Sequence, residues 1–95
     1  MRTHNDYGRI KVDGTSLIGK VVASYGELLR VFGEPLSDSS GDGKVKVEWR
    51  IKFSDGTVGT IYDYKSSVIP QDNTNWNVGG RNHKVVAMIQ SELNR

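Results

Sequence analysis

The chain has 95 residues, enough for one domain with a modest core, and its 36% hydrophobic and 25% charged residues are ordinary for a globular protein. It has no cysteine, which excludes disulfides, zinc–thiolate centres and thiol nucleophiles. Thirteen Lys and Arg against eleven Asp and Glu leave a formal charge of +2, a slight excess for a dedicated DNA-binding domain and the opposite of a DNA mimic's acidity.

No run approaches the roughly 20 apolar residues of a membrane span. The first residues, MRTHNDYGRIKV, contain no apolar signal core, so a cytoplasmic protein with no membrane partner is expected. Residues 1–7 are expected to be a flexible tail on a single domain spanning 1–95. RIKV (9–12), Asp13-Gly14 and TSLIGKVVA (15–23) then read as a first hairpin or an extended lead-in, with Gly19 interrupting the apolar pattern.

SYGELLRVFGEP (24–35) predicts a short helix with both ends marked. Ser24 and Glu27 make a capping box. Tyr25, Leu28, Leu29 and Phe32 recur at helical spacing, and Gly33 with Pro35 stops the element. A polar, glycine-rich loop, LSDSSGDG (36–43), leads to the clearest pattern in the chain.

From Val45 the apolar residues alternate strictly: Val45, Val47, Trp49, Ile51 and Phe53, with Lys44, Lys46, Glu48, Arg50 and Lys52 between them. That is a half-buried strand. Asp55-Gly56 predicts a two-residue type I′ turn. Such a loop sets Phe53 against Val58, Ile51 against Thr60, Trp49 against Tyr62 and Val47 against Tyr64, an aromatic-rich core face. The other face then pairs Lys52 with Gly59, Arg50 with Ile61, Glu48 with Asp63 and Lys46 with Lys65.

After a second loop, SSVIPQDNTN (66–75), Trp76 to Val78 predicts a third strand. The last element, roughly residues 82 to 94, places Val85, Val86, Ile89 and Leu93 on one helical face. The expectation is an α+β domain: an antiparallel sheet of three to five strands with a short helix and a C-terminal helix packed on one face, in the order (β)αβββα.

The stretch WNVGGRNHK (76–84) admits two readings. In one, Gly79 and Gly80 turn the chain and Asn82 caps the helix. In the other, Gly79 and Gly80 leave outward N–H groups and the helix start collects an anion, with Arg81, Asn82, His83 and Lys84 as side-chain donors and Trp76 as a stacking surface for a base or a partner side chain. Cations at a helix start are unfavourable unless an anion compensates them, which favours the second reading. Lys44, Lys46, Arg50, Lys52 and Lys65 offer a second, basic face on the hairpin, for which a ladder of ion pairs with Glu48 and Asp63 is preferred over contact with a phosphate backbone.

An acid/base dyad of Glu48 and Asp63 is not expected, since an open sheet face supplies no desolvation to separate their pKa values. His4 and His83 have no clustered ligands, and no serine sits in a nucleophile elbow. Catalytic residues, metals and cofactors are therefore not expected.

GTSLIGKVV, SYGELLRVFGEP, EWRIKFSDGTVGTIYDYK and WNVGGRNHKVV together resemble a group of small open reading frames from bacteriophage genomes, over about residues 13 to 93. The resemblance implies a phage accessory protein in the host cytoplasm that binds and inhibits a host defence component, as anti-CRISPR proteins and nucleotide sponges do. A host protein complex is then the expected partner, with a nucleotide or nucleic acid at 79–84 as the alternative. An exposed sheet edge would also permit a homodimer by strand pairing.

Overall fold

Residues 1–6 and 9–95 are described by a computed structural model. They form β1 (Arg2–Thr3), β2 (Ser16–Val22), α1 (Tyr25–Phe32), β3 (Leu36–Ser37), β4 (Val47–Lys52), β5 (Val58–Tyr62), β6 (Asn75–Gly80) and α2 (Lys84–Leu93). The strands make one antiparallel sheet in the order β1–β4–β5–β6–β2, with β3 pairing β4 beside β1. This is the expected α+β domain, with its second helix at the C-terminal end of the described chain.

Alternation in β4 drives Val47, Trp49 and Ile51 to one side of the sheet, where all three are buried. Ile61, Val78, Trp76 and Val21 join them from the neighbouring strands, and both helices close over this side. Helix α2 lies so near that a Cβ on Gly59 would sit 2.5 Å from Val85 Cγ1, and one on Gly19 would sit 2.8 Å from a Val86 methyl. Glycine at these two positions is a packing requirement.

Trp49 and Trp76 are fully buried and meet edge to face, with ring centroids 5.4 Å apart. Their indole nitrogens fix α1 at both ends. Trp76 Nε1 donates to the Ala23 carbonyl just before the helix (3.0 Å), and Trp49 Nε1 donates to the Gly33 carbonyl just after it (2.7 Å). The expected capping box is present: Glu27 N–H donates to Ser24 Oγ at 3.1 Å, and Ser24 N–H donates to Glu27 Oε1 at 3.0 Å.

The hairpin register differs from the expected one. Its loop is Ser54-Asp55-Gly56: Phe53 N–H donates to Thr57 O (2.8 Å), Gly56 N–H donates to Phe53 O (2.9 Å), and Gly56 has φ +88°. Asp55 stays out of the left-handed region because its Oδ1 accepts from Thr57 N–H at 2.9 Å, which holds a type I turn followed by an αL glycine. The pairs are therefore Ile51–Gly59, Arg50–Thr60, Trp49–Ile61 and Glu48–Tyr62. A one-residue slip turns every β5 side chain over. Ile61 enters the core, while Thr60 and Tyr62 move to the side without helices.

Three further expectations are corrected. Arg2–Thr3 pairs with the edge of β4, and Asn5 Nδ2 donates to the carbonyls of Glu34 (2.8 Å) and Phe32 (3.3 Å), so the chain start is built into the fold; Tyr7, the end of the expected tail, lies outside the described residues. Of the two readings of residues 9–23, the first hairpin is overturned, since residues 9–12 do not pair with β2, whose partner is β6; residues 9–12 lead into β2 without strand pairing. Gly79 and Gly80 continue β6 instead of turning the chain.

Candidate functional site on the helix-free side of the sheet

Of the Gly79–Lys84 segment, Arg81, Asn82 and Lys84 come together with Asp55, Gly56, Thr57 and Val58 around a space of about 320 Å³, while Trp76, Gly79, Gly80 and His83 do not line it. Trp76 has no exposed surface; its ring stacks on Tyr25 and meets Trp49 edge to face, and so offers no face to an external group. Gly79 and Gly80 are buried strand residues. Asn82 Oδ1 accepts from Lys84 N–H at 2.9 Å and so caps the first turn of α2.

The two cations have internal acceptors. Arg81 Nε and Nη2 both donate to the Asp13 carbonyl, and Lys84 Nζ lies 3.4 Å from Asp55 Oδ2. Hydrogen bonds from Thr57, with a smaller contribution from Lys84, hold the Asp55 carboxyl below its ordinary value. The hairpin turn thus supplies the anion that the helix start needs. His83 is exposed and caps nothing with its side chain.

The basic hairpin face is also divided. Lys46 Nζ donates to the carbonyls of Ser66 (2.9 Å) and Val68 (3.4 Å), Lys44 pairs with Asp42 at 3.6 Å, and Lys65 lies over the Tyr64 ring. Lys52 is exposed opposite Val58. Arg50 pairs with Glu48 two residues away on its own strand, at 2.6 Å. Glu48 and Asp63 do not face each other. Asp63 is buried, and its Oδ1 accepts from the N–H groups of Lys46 (2.8 Å) and Val47 (3.1 Å) where β4 begins.

What the fold does assemble is the side of the sheet opposite the helices. Register places Glu48, Arg50, Val58, Thr60, Tyr62, Asn77, Gly79, Leu17, Lys20 and Val22 there. Leu17 is 58% exposed and Val22 74% exposed, both on β2, and no strand pairs with the outer edge of β2 among the described residues. Tyr64, 49% exposed, lies close enough to Tyr62 to help raise its pKa.

The chain between Arg9 and Ser16 crosses this side. Between it and the strands lies a cavity of about 210 Å³ lined by Ser16, Glu48, Arg50, Thr60, Tyr62 and Gly79, among others. Gly79 forms part of its wall because any Cβ there would collide with Thr60 Oγ1. Burial first, and then the Glu48 carboxylate and Tyr64, push the Tyr62 hydroxyl above its ordinary value, so it remains a donor at neutral pH. Glu48 is held from both sides: Oε1 accepts from Ser39 Oγ at 2.8 Å and Oε2 from Arg50 Nε at 2.6 Å.

Of these residues, the sequence pointed to Arg50 and Gly79 as candidates and to Glu48 as an ion-pair partner. Thr60 and Tyr62 were hidden by the turn type, since a two-residue loop sends both into the core, and Ser16 by the long-range pairing of β2 with β6. The available signal was Ser54-Asp55-Gly56-Thr57, in which Asp accepts from the residue two positions on and only the glycine needs positive φ.

Among the described residues no group of three or more His, Asp or Glu side chains is placed to hold a metal, and no helix is long and apolar enough to cross a membrane. Comparison with protein-family models, with curated proteins and with solved structures gives no significant match in any of the three.

Proposed function

We propose that this chain is a non-catalytic binding module that docks a host protein on the helix-free side of its sheet and blocks it, as a small phage anti-defence protein would. The observation that carries this reading is the surface itself. Both helices cover one side only, and the other carries Tyr62, Asn75 and Asn77, with the exposed Leu17 and Val22 at one border and the exposed Tyr64 just beyond β5. Tyr and Arg are residue types enriched where binding energy concentrates, and side chains carried on paired strands lose little freedom on association. The phage context rests on the resemblance of the sequence segments alone. The alternative, a nucleotide or nucleic acid at residues 79–84, is weaker because Arg81 and Lys84 are engaged by Asp13 and Asp55.

The test is phage plating on host cells that carry a defence system, with and without the chain expressed. Expression is expected to restore plating. Val22→Asp with Tyr64→Asp, two exposed positions whose change leaves the core intact, is expected to abolish the effect and the capture of the defence component. Plating unaffected by that double variant would overturn the assignment of the surface, and no restoration across a panel of defence systems would overturn the function.

A further inference from the structure

Arg50 stands where three cavities adjoin. One is the space of about 210 Å³ above Gly79. A second, about 360 Å³, lies under residues Arg9 to Asp13. A third, about 280 Å³, is bounded by His4, Arg9, Ile10 and Leu36. The Arg50 side chain is only 25% exposed, so its charge is largely withdrawn from bulk water. Nε is bonded to Glu48, and the paired Nη groups have no acceptor among the described residues. Neither Nη group is a buried atom left without a partner, so both are open to solvent and to an incoming anion.

The surroundings specify what that acceptor is. Glu48, locked by Ser39 and by Arg50 Nε, fixes the guanidinium plane and leaves its terminal fork open, the geometry that grips a carboxylate or phosphate with two parallel bonds. Thr60 and Tyr62, whose side chains share the Arg50 side of the sheet, line the same cavity with Ser16. Tyr62 stays protonated at neutral pH and so donates. Arg9 and Lys11, lining the adjoining space, leave the cluster net positive despite Glu48 and Asp13. At about 210 Å³ the cavity is below the roughly 300–1,000 Å³ of drug-sized sites, which fits a small ion or metabolite.

We propose that this cavity is a receptor for a small oxyanion, a carboxylate or phosphate group held by the Arg50 fork and capped by the Thr60 and Tyr62 hydroxyls. It shares a surface with the proposed protein interface but not its premise. Val22 and Tyr64 lie outside the cavity, so the plating assay and the assay below fail independently.

The experiment is an amide and arginine side-chain NMR titration at low salt. Sodium phosphate and sodium acetate are the two probes, with sodium chloride at matched ionic strength and neutral acetamide as controls. Saturable shifts are expected at the Arg50 Nε–H, Thr60 and Gly79, for phosphate or acetate and for neither control; the tighter probe names the ligand class. Arg50→Lys, which keeps the charge and loses the fork, is expected to weaken binding at least tenfold. Tyr62→Phe, which leaves the Arg50–Glu48 bond in place, is expected to weaken it several-fold and serves if Arg50→Lys fails to fold. Equal shifts with chloride, no saturation with either anion, or unchanged affinity in the folded variants would overturn the proposal.

Discussion

Alanine at Gly79 separates two accounts of the glycine pair. Gly79 does not occupy the left-handed region, so its backbone conformation is open to alanine. The obstacle is a neighbour: the new methyl would press into Thr60 Oγ1 and stand 3.4 Å from Tyr62 Cε1. Thr60 is β-branched, on a strand and buried, so it cannot swing away freely. Overpacking of this kind costs about 1–3 kcal/mol, and the lower chain entropy of alanine returns about 0.4–1 kcal/mol. The net loss is about 0–2.6 kcal/mol, centred near about 1.3 kcal/mol, which in a domain of this size lowers Tm by about 5–10 °C at that centre. Thermal and urea unfolding followed by fluorescence of the buried Trp49 and Trp76 reads this directly. Thr60→Ala removes the obstructing hydroxyl, so Gly79→Ala made in the Thr60→Ala background should cost nothing further. If the two losses instead add to within about 0.5 kcal/mol, the contact is not what demands glycine, and the packing account fails.

The same logic applies on the opposite side of the sheet, where Gly59→Ala should destabilise by about 1–3 kcal/mol through Val85 and be relieved by Val85→Ala; equal losses in both backgrounds in a urea titration would contradict it. Asp63→Ala should cost about 2–4 kcal/mol by stranding the Lys46 and Val47 N–H groups, while Asp63→Asn, which retains one acceptor oxygen, should cost clearly less; equal losses would show that acceptance is not its role. Ser24→Ala should cost about 1 kcal/mol. Glu27 is held below its ordinary value of 4.5, chiefly by the Ser24 backbone hydrogen bond, so its contribution is present above that value and fades as the pH falls through the depressed folded-state value. Glu27→Gln should flatten that part of the stability–pH curve. Tyr62 is shifted above its ordinary value of 10.0, so its contribution is complete below that value and is lost as the pH rises through the folded-state value. Glu48→Gln, by removing one cause of the shift, should move the Tyr62 ultraviolet titration toward lower pH; no movement would show that Glu48 does not act on it.

The sequence by itself determined the elements whose signals are local. Ser24 and Glu27 mark a helix start because the capping box closes within four residues, and strict alternation from Val45 to Phe53 makes β4 a half-buried strand in any register. The side of the sheet that β4 buries was legible for the same reason. Everything that depends on a neighbour was decided by the tertiary structure. The loop Ser54-Asp55-Gly56 set the register of β5 through one side-chain hydrogen bond, and so carried Thr60 and Tyr62 to the open side and Ile61 to the core. The glycine pair at 79–80 looked like a turn because local sequence cannot show that Thr60 lies across from one glycine and Val85 lies above the other. Arg81 and Lys84 looked like unpaired cations because their acceptors, Asp13 and Asp55, are 68 and 29 residues away along the chain. Local chemistry names the donors in a sequence, but only the folded chain shows which of them are already satisfied, and that moves the functional question from the start of α2 to the cavity around Arg50.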